Sequence, residues 1–584
     1  MKKQPRLVSL LTPEGEELKN QPEGFVPWKV YPRPRLKRGS FLCLNGEWEL
    51  SVGASEKTEK ILVPFPPEAI LSGIGRTMPE GDTLRYKKSF SLPEKFKKSR
   101  TILHFGAVDQ TAEVYLNGVF LGMHVGGYSP FYFDVTKHLV EENTLEVLVT
   151  DTLDGILPYG KQRKERGGMW YTPISGIWQT VWLESLPEQY ISDIKIRSDR
   201  EKAQISVSMN EGKANGAIVL DGEEFPLENG RATVTPKDPV LWSPENPHLY
   251  NFTLKVGDDV AESYFALRTL EVLNVGDVPR LCLNGEPYFF HGLLDQGYFS
   301  DGIFLPASPK GYERDILTAK KLGFNMLRKH IKTEPEIFYY YCDKLGIAVF
   351  QDMINNSDYS FVRDTALPTV GVKHLNDKRL HRNDKSRAAF LSGMCETVRR
   401  LSFHPSVCYW TIFNEGWGQF DHASAYKKLK RIDDTRFIDS VSGWFTPKKA
   451  KKLSSDLCSF HVYFKPVKLK KAKEKPIVLS EFGGYSYKIS EHTFNLDDNY
   501  GYRTFTVGKE LESALEALYT NEVLPAIEKS GLSAAVYTQL SDVEDETNGL
   551  ITYDRRVIKV NEKLMKKIGA KLTEKNNNFK EDTL

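Results

Sequence analysis

The sequence predicts a multidomain chain: a jelly-roll β-sandwich, an immunoglobulin-like β-sandwich and a (β/α)8 TIM barrel, in that order. Three observations carry the prediction. Residues 1 to about 272 break into short β-branched and aromatic runs separated by turn residues. The remainder alternates strand-length apolar runs with helical patterns. Two of those runs carry a glutamate close to a glycine at their C-terminal ends, Glu415 in VCYWTIFNEGWG (407–418) and Glu481 in PIVLSEFGG (476–484).

Residues 1–186 form the first unit. FLCLNGEWEL (41–50), LRYKKSFSLP (84–93), the stretch 100–135 and NTLEVLVTD (143–151) read as antiparallel strands, and WYTPISGIWQTVWLE (170–184) closes the unit. Asn117-Gly118 between EVYL and VFLG marks a tight hairpin, because a two-residue loop matching strand twist needs positive φ at both positions. Residues 187–272 supply seven further short runs, the count of an immunoglobulin-like sandwich without its cysteine pair. From 273 to 570 eight candidate strands follow: 287–294, 325–330, 348–353, 407–415, 437–443, 458–464, 476–483 and 534–542. Helical patterns such as 309–323 and 334–346 separate most of them, which is the order of a barrel of parallel strands. The polar tail 571–584 is expected to be flexible.

Composition narrows the function. Lys plus Arg number 79 against 77 Asp plus Glu, a net charge of +2, which gives no reason for a nucleic-acid partner. The Lys-rich stretch 448–475 reads as a solvated face and loop. No apolar run is long enough to cross a membrane, and the N-terminus lacks the apolar core of a signal peptide. Six cysteines without CxxC spacing read as buried free thiols, so the expected location is cytoplasmic. Two sandwich domains suit a homo-oligomer as well as a monomer.

In a barrel the C-terminal strand ends meet on one face, so Glu415 and Glu481 face one pocket. A buried carboxylate is costly unless it is paired or used, and a facing pair is the requirement of glycoside hydrolysis. Glu481 is the expected nucleophile, kept ionised by Arg328 and a tyrosine hydroxyl. Glu415 is the expected acid/base, its pKa raised by apolar walls and by Glu481. The same rim is expected to hold Asp295, Arg328, His330, Asp352, Asn414, His461, Tyr463, Tyr537 and Gln539, with Asn414 on a sugar 2-hydroxyl. Trp417 and Trp444 are candidate stacking platforms. Each has a plainer reading: His330 as a hydrogen-bonded structural histidine, Asp352 as an ion-pair partner of Arg328, either tryptophan as core. The long segments 354–385 and 484–508 over the barrel mouth suit an exo-type pocket around one terminal sugar.

These motifs resemble glycoside hydrolase family 2, the β-galactosidases, β-glucuronidases and β-mannosidases. The resemblance spans nearly the whole chain and rests on WYTPISGIWQTVWLE (170–184), WSPENPHLY (242–250), GFNMLRK (323–329), CDKLGIAVFQDM (342–353), HPSVCYWTIFNE (404–415) and VLSEFGG (478–484). It implies that Glu415 is the acid/base, Glu481 the nucleophile and Asn414 the asparagine preceding the acid. It implies no cofactor, and the family's metal ligands have no evident counterpart here, so no metal is expected. Arg328-Lys329-His330 and Gln351-Asp352 depart from the galactosidase and glucuronidase pattern, and no Asn-x-Lys follows Glu481. The implied activity is removal of a terminal β-linked sugar from a glycoside or oligosaccharide by a retaining mechanism. A β-galactoside is the favoured substrate; β-mannosidase, β-glucuronidase and arabinosidase specificity are alternatives, as is a catalytically silent carbohydrate-binding protein.

Overall fold

The computed structural model describes residues 5–55, 57–367, 370–372, 376–443, 445–448 and 454–581. The N-terminal unit is a sandwich of a six-stranded and a four-stranded antiparallel sheet. Along Glu142–Thr150 buried and half-buried residues alternate, so one face of the strand enters the core between the sheets. The Asn117-Gly118 hairpin forms with φ of +52° and +79°, the geometry its sequence requires. A three-stranded and a four-stranded sheet make the second sandwich. It is tied to the barrel by Trp242, whose indole N–H donates to Asp343 O (2.8 Å), and by Arg268, which donates to Pro405 O (2.8 Å).

The barrel strands are β1 (Phe290–Asp295), β2 (Met326–Lys329), β3 (Ala348–Asp352), β4 (Val407–Asn414), β5 (Phe437–Ser442), β6 (Cys458–Val462), β7 (Ile477–Gly483) and β8 (Leu532–Thr538). All pairings are parallel and run in the order β5-β4-β3-β2-β1-β8-β7-β6. Among the described residues no ladder joins β5 to β6. Side chains stitch that seam instead: Gly443 N–H donates to Ser459 Oγ (3.2 Å), which donates to Val441 O (3.3 Å). Helices Lys310–Lys321, Glu336–Leu345, Asp384–Leu401, His422–Ile432 and Gly508–Leu518 cover the outside, each presenting buried apolar residues to the strands.

Of the tail expected to be flexible (571–584), residues 571–581 are instead the end of a helix, Glu562–Glu581, and 582–584 lie outside the described residues. Leu572 and Asn576 are buried, and the Asn576 amide donates to Pro287 O (3.0 Å) while accepting from the buried Arg280. A helix with few apolar residues docks here because the buried ones, Met565, Ile568 and Leu572, lie three and four apart, on one face. Among the described residues no helix is long and apolar enough to cross a membrane.

Candidate active site

β4 ends in a left-handed turn. Glu415 has φ +49° and Gly416 φ +75°, a conformation costing a non-glycine residue roughly 1–2 kcal/mol. The turn carries the Glu415 carboxylate toward β6, where its Oε1 lies 2.7 Å from His461 Nδ1. The other His461 nitrogen meets Ser442 Oγ (3.0 Å), and Ser442 Oγ lies 3.1 Å from Ser480 Oγ. Glu481 projects from β7 into the same space. Its Oε1 accepts from Arg328 Nη1 (2.9 Å), its Oε2 accepts from the Tyr463 hydroxyl, and His461 Nδ1 stands 3.4 Å from Oε2. One carboxylate oxygen of Glu415, one of Glu481 and a nitrogen of His461 all lie within 4.8 Å of one another. They are also the one such trio among the described residues that could hold a cation.

Arg328 organises the floor. Beside Glu481 it donates to Asp352 Oδ1 (3.0 Å), Ser480 O (2.9 Å) and Asn414 Oδ1 (2.8 Å). Burial works against its charge, but Asp352 and Glu481 together hold its pKa above the ordinary value. Burial raises the Asp352 pKa, and Arg328 and His330 more than reverse that, to about 2. His330 Nδ1 lies 2.7 Å from Asp352 Oδ2. Burial and the positive Lys161 push His330 down to about 4, so it is neutral near pH 7 and its Nδ1–H donates.

Glu415 departs from expectation. Burial raises its pKa, but the His461 hydrogen bond and the positive charges of Lys161 and Arg328 outweigh burial, and the net direction is down. Apolar walls alone predict the opposite; contacts made across the barrel decide it.

Eight of the expected rim residues, Arg328, His330, Asp352, Asn414, Glu415, His461, Tyr463 and Glu481, meet in this one network. Trp417 lines its edge, stacked 5.3 Å from Trp170 of the first sandwich. Others do not join. Asp295 accepts from Lys329 (2.6 Å) and Gly297 N (2.9 Å), in a buried cluster with Glu334 beside the site. Tyr537 lies on the outer face of β8, packed on Phe482 and Tyr519, with its hydroxyl accepting from Tyr485 N (3.2 Å). Its neighbour Thr538 faces inward, 2.9 Å from the Tyr463 hydroxyl. Gln539 is fully buried and committed to Glu546 (2.7 Å), Asn548 (2.8 Å) and Gln296 (2.8 Å). Trp444 lies outside the described residues.

Sequence reasoning missed several neighbours. Tyr502, from the segment after β7, stacks on Tyr463 at 3.7 Å with the rings 6° from parallel. That approach is open because position 484 is glycine; a Cβ there would lie 2.3 Å from the Tyr502 ring. Lys161, Arg163, Trp170 and Tyr171 arrive from the first sandwich. Tyr159 N and Gly160 N donate to Asn355 O (3.1 and 3.3 Å), clamping that segment to the barrel just after β3.

The fold and the facing carboxylates thus define a barrel protein with a two-carboxylate cleft roofed by a second domain. The family models for glycosyl hydrolases family 2 match this chain in three parts: the sugar binding domain over 63–187, the middle domain over 182–268 and the TIM barrel domain over 280–494. The chain belongs to glycosyl hydrolases family 2. It is 24% identical over 437 residues to a β-galactosidase of Thermoanaerobacter pseudethanolicus, covering 70% of this chain and 54% of that protein. It is 25% identical over 470 residues to a putative β-glucuronidase of Formosa agariphila, covering 70% and 51%. The chain thus spans about half the length of these curated relatives. A β-D-glucuronidase structure from Dictyoglomus thermophilum superposes with a TM-score of 0.72 at 21% identity, over 92% of this chain and 98% of that one.

Proposed function

We propose that the chain is an exo-acting retaining glycosidase that removes a terminal β-linked sugar by double displacement, with Glu481 as nucleophile and Glu415 as acid/base. The observation carrying this is that one oxygen of Glu415 and one of Glu481 lie within 4.8 Å of each other, both beside His461, an approach on the side of a close carboxyl pair. Retaining enzymes need roughly 5–5.5 Å between the carboxyl groups, whereas inverting ones need roughly 6.5–9.5 Å to admit a water.

The surroundings divide the roles. Arg328 and the Tyr463 hydroxyl both donate to Glu481, one to each oxygen, and so fix the orientation of the carboxylate that attacks the anomeric carbon. The Glu481–anomeric carbon bond forms as the leaving oxygen departs with the proton of Glu415. Esterified Glu481 no longer bears charge, and Glu415, now ionised, takes a proton from water, whose oxygen displaces Glu481. His461 can serve both states. With Glu415 ionised, its Nδ1–H donates to the carboxylate; with Glu415 protonated, Nδ1 accepts and Nε2–H donates to Ser442 Oγ. Asn414 spends its carbonyl oxygen on Arg328, so its amide N–H groups are available to a sugar hydroxyl beside the reacting carbon.

The packed rings of Trp170, Trp417 and Tyr359, two of them from the barrel and one from the first sandwich, close one side of the site and support action on a chain end. Relatives named β-galactosidase and putative β-glucuronidase bracket the sugar, a hexopyranoside in either case. The test is nitrophenol release from β-galactoside, β-glucoside, β-mannoside, β-glucuronide, β-galacturonide, β-xyloside and both arabinoside ring forms, beside Glu481→Gln. Turnover of one sugar, absent in the variant, and a wild-type mass increase with the matching activated 2-fluoro sugar are expected. Turnover with inverted anomeric configuration would overturn the assignment.

A further inference from the structure

Lys161 is buried, with 6% of its surface exposed, at the point where the first sandwich meets the barrel mouth. Its Nζ lies 5.5 Å from the centre of the Trp417 ring and 5.6 Å from that of Tyr171. Its charge is felt by Glu415, His330 and Glu546, each of which it draws to lower pKa, so the ammonium sits among the reacting groups. Among the described residues no acceptor lies within hydrogen-bond reach of that nitrogen and no carboxylate within ion-pair distance. The nearby acids are already engaged. Glu415 holds His461 (2.7 Å), Glu546 accepts from Gln539 (2.7 Å), and Glu544 accepts from Thr172 N (2.8 Å) and faces Arg166 (3.3 Å).

The stem of Lys161 is buried while no group among the described residues accepts from its ammonium, and two ring faces near the limit of cation–π range are the contacts it makes. Its position is nevertheless enforced. Tyr159 and Gly160 are bonded to Asn355 O, the Tyr159 hydroxyl donates to Ser357 O (2.8 Å), and Lys161 O accepts from Tyr171 N (3.0 Å). Gly160 has φ +72°, and a Cβ there would lie 2.9 Å from Ile331 O. Two residues on, the Arg163 guanidinium lies over Trp170 (4.1 Å) and Tyr359 (5.0 Å), likewise without a carboxylate in ion-pair distance among the described residues. Two cations without ion-pair partners thus stand along one aromatic wall of the cleft.

We infer that Lys161, with Arg163 at the rim, binds a carboxylate on the terminal sugar, so that the substrate is a hexuronide rather than a neutral hexoside. This rests on the glycosidase reading above and replaces the β-galactoside favoured from the sequence. The substrate carboxylate supplies the charged acceptor that the fold withholds from Lys161. It also cancels a positive charge that holds Glu415 down, so the correct substrate makes Glu415 better able to keep the proton it must donate.

The experiment compares nitrophenyl β-galacturonide and β-glucuronide with the matching β-galactoside and β-glucoside, for wild type, Lys161→Met and Lys161→Arg. One uronide is expected to exceed its neutral counterpart in kcat/KM. Lys161→Met is expected to lower the uronide-to-neutral ratio by at least about 30-fold, the effect of truncating one partner of a buried charge pair, with Lys161→Arg retaining part of it. A wild type preferring the neutral sugar, with a ratio unmoved by Lys161→Met, overturns the inference and leaves the glycosidase reading standing. If wild type cleaves nothing, calorimetry with free galacturonate, glucuronate and galactose separates the two. Uronate binding lost in Lys161→Met supports the carboxylate site although hydrolysis has failed, and no preference for uronate overturns it.

Discussion

His330 makes the barrel mouth acid-sensitive in a defined window. It titrates near 4 in the folded chain against an ordinary 6.5, because burial and Lys161 both disfavour its charged form. The unfolded chain takes up this proton as pH falls below about 6.5, whereas the folded chain does so only near 4. Stability from this group is therefore whole above pH 6.5 and is lost on the way down to 4. At about 1.36 kcal/mol per pH unit, two units of that window amount to roughly 3 kcal/mol. Asp352 acts lower: its depressed pKa of about 2 contributes stability above 3.8 that is lost as pH falls through 2. The two windows barely overlap, so they can be told apart. His291, also near 4, shares the upper window, and a difference between variants removes it. The assay is denaturant unfolding of wild type and His330→Gln at pH 7.5 and 4.5, followed by tryptophan fluorescence. Wild type should lose about 2–3 kcal/mol more than the variant over that interval. Equal losses would refute a neutral, buried His330.

Other outcomes follow from the same geometry. Glu415→Gln should lower kcat by about 10²–10⁴-fold on a glycoside with a poor leaving group and much less on a nitrophenyl glycoside, with azide restoring turnover as a glycosyl azide; no azide product would remove Glu415 from the acid/base role. Asn414→Ala and a 2-deoxy substrate should each slow the reaction by about 10- to 150-fold, with combined losses well short of additive if the amide meets the 2-hydroxyl. Ending the chain at residue 570 uncovers Arg280 and deletes its Asn576 acceptor; a fall of several degrees in melting temperature is expected, and an unchanged melt would mean that the last helix does not dock.

Much of this architecture was legible because barrel strands are buried on both sides and so read as unbroken apolar runs. Glu415 and Glu481 stood out for the same reason, as carboxylates interrupting runs that otherwise exclude charge. Tyr537 shows where the reading fails. An unbroken apolar strand carries no alternation to say which residues face inward, and the β7–β8 pairing shifts register between Leu479 and Phe482. The lowered pKa of Glu415 was illegible because His461 is 46 positions away and Lys161 belongs to another domain. The final helix was misread because composition sees few apolar residues, not that Leu572 and Asn576 share a face.

The clamp of Tyr159 and Gly160 onto Asn355 has a consequence for how the chain matures. The carboxylates belong to the barrel, but part of the wall around them is delivered by a piece made before it. A barrel that closes without its N-terminal partner would present a bare cleft, open to water and missing Lys161 and Trp170. The same division places part of the cleft wall and the two carboxylates on separate stretches of sequence, so exchanging the segment 159–172 is the economical route to a reshaped cleft.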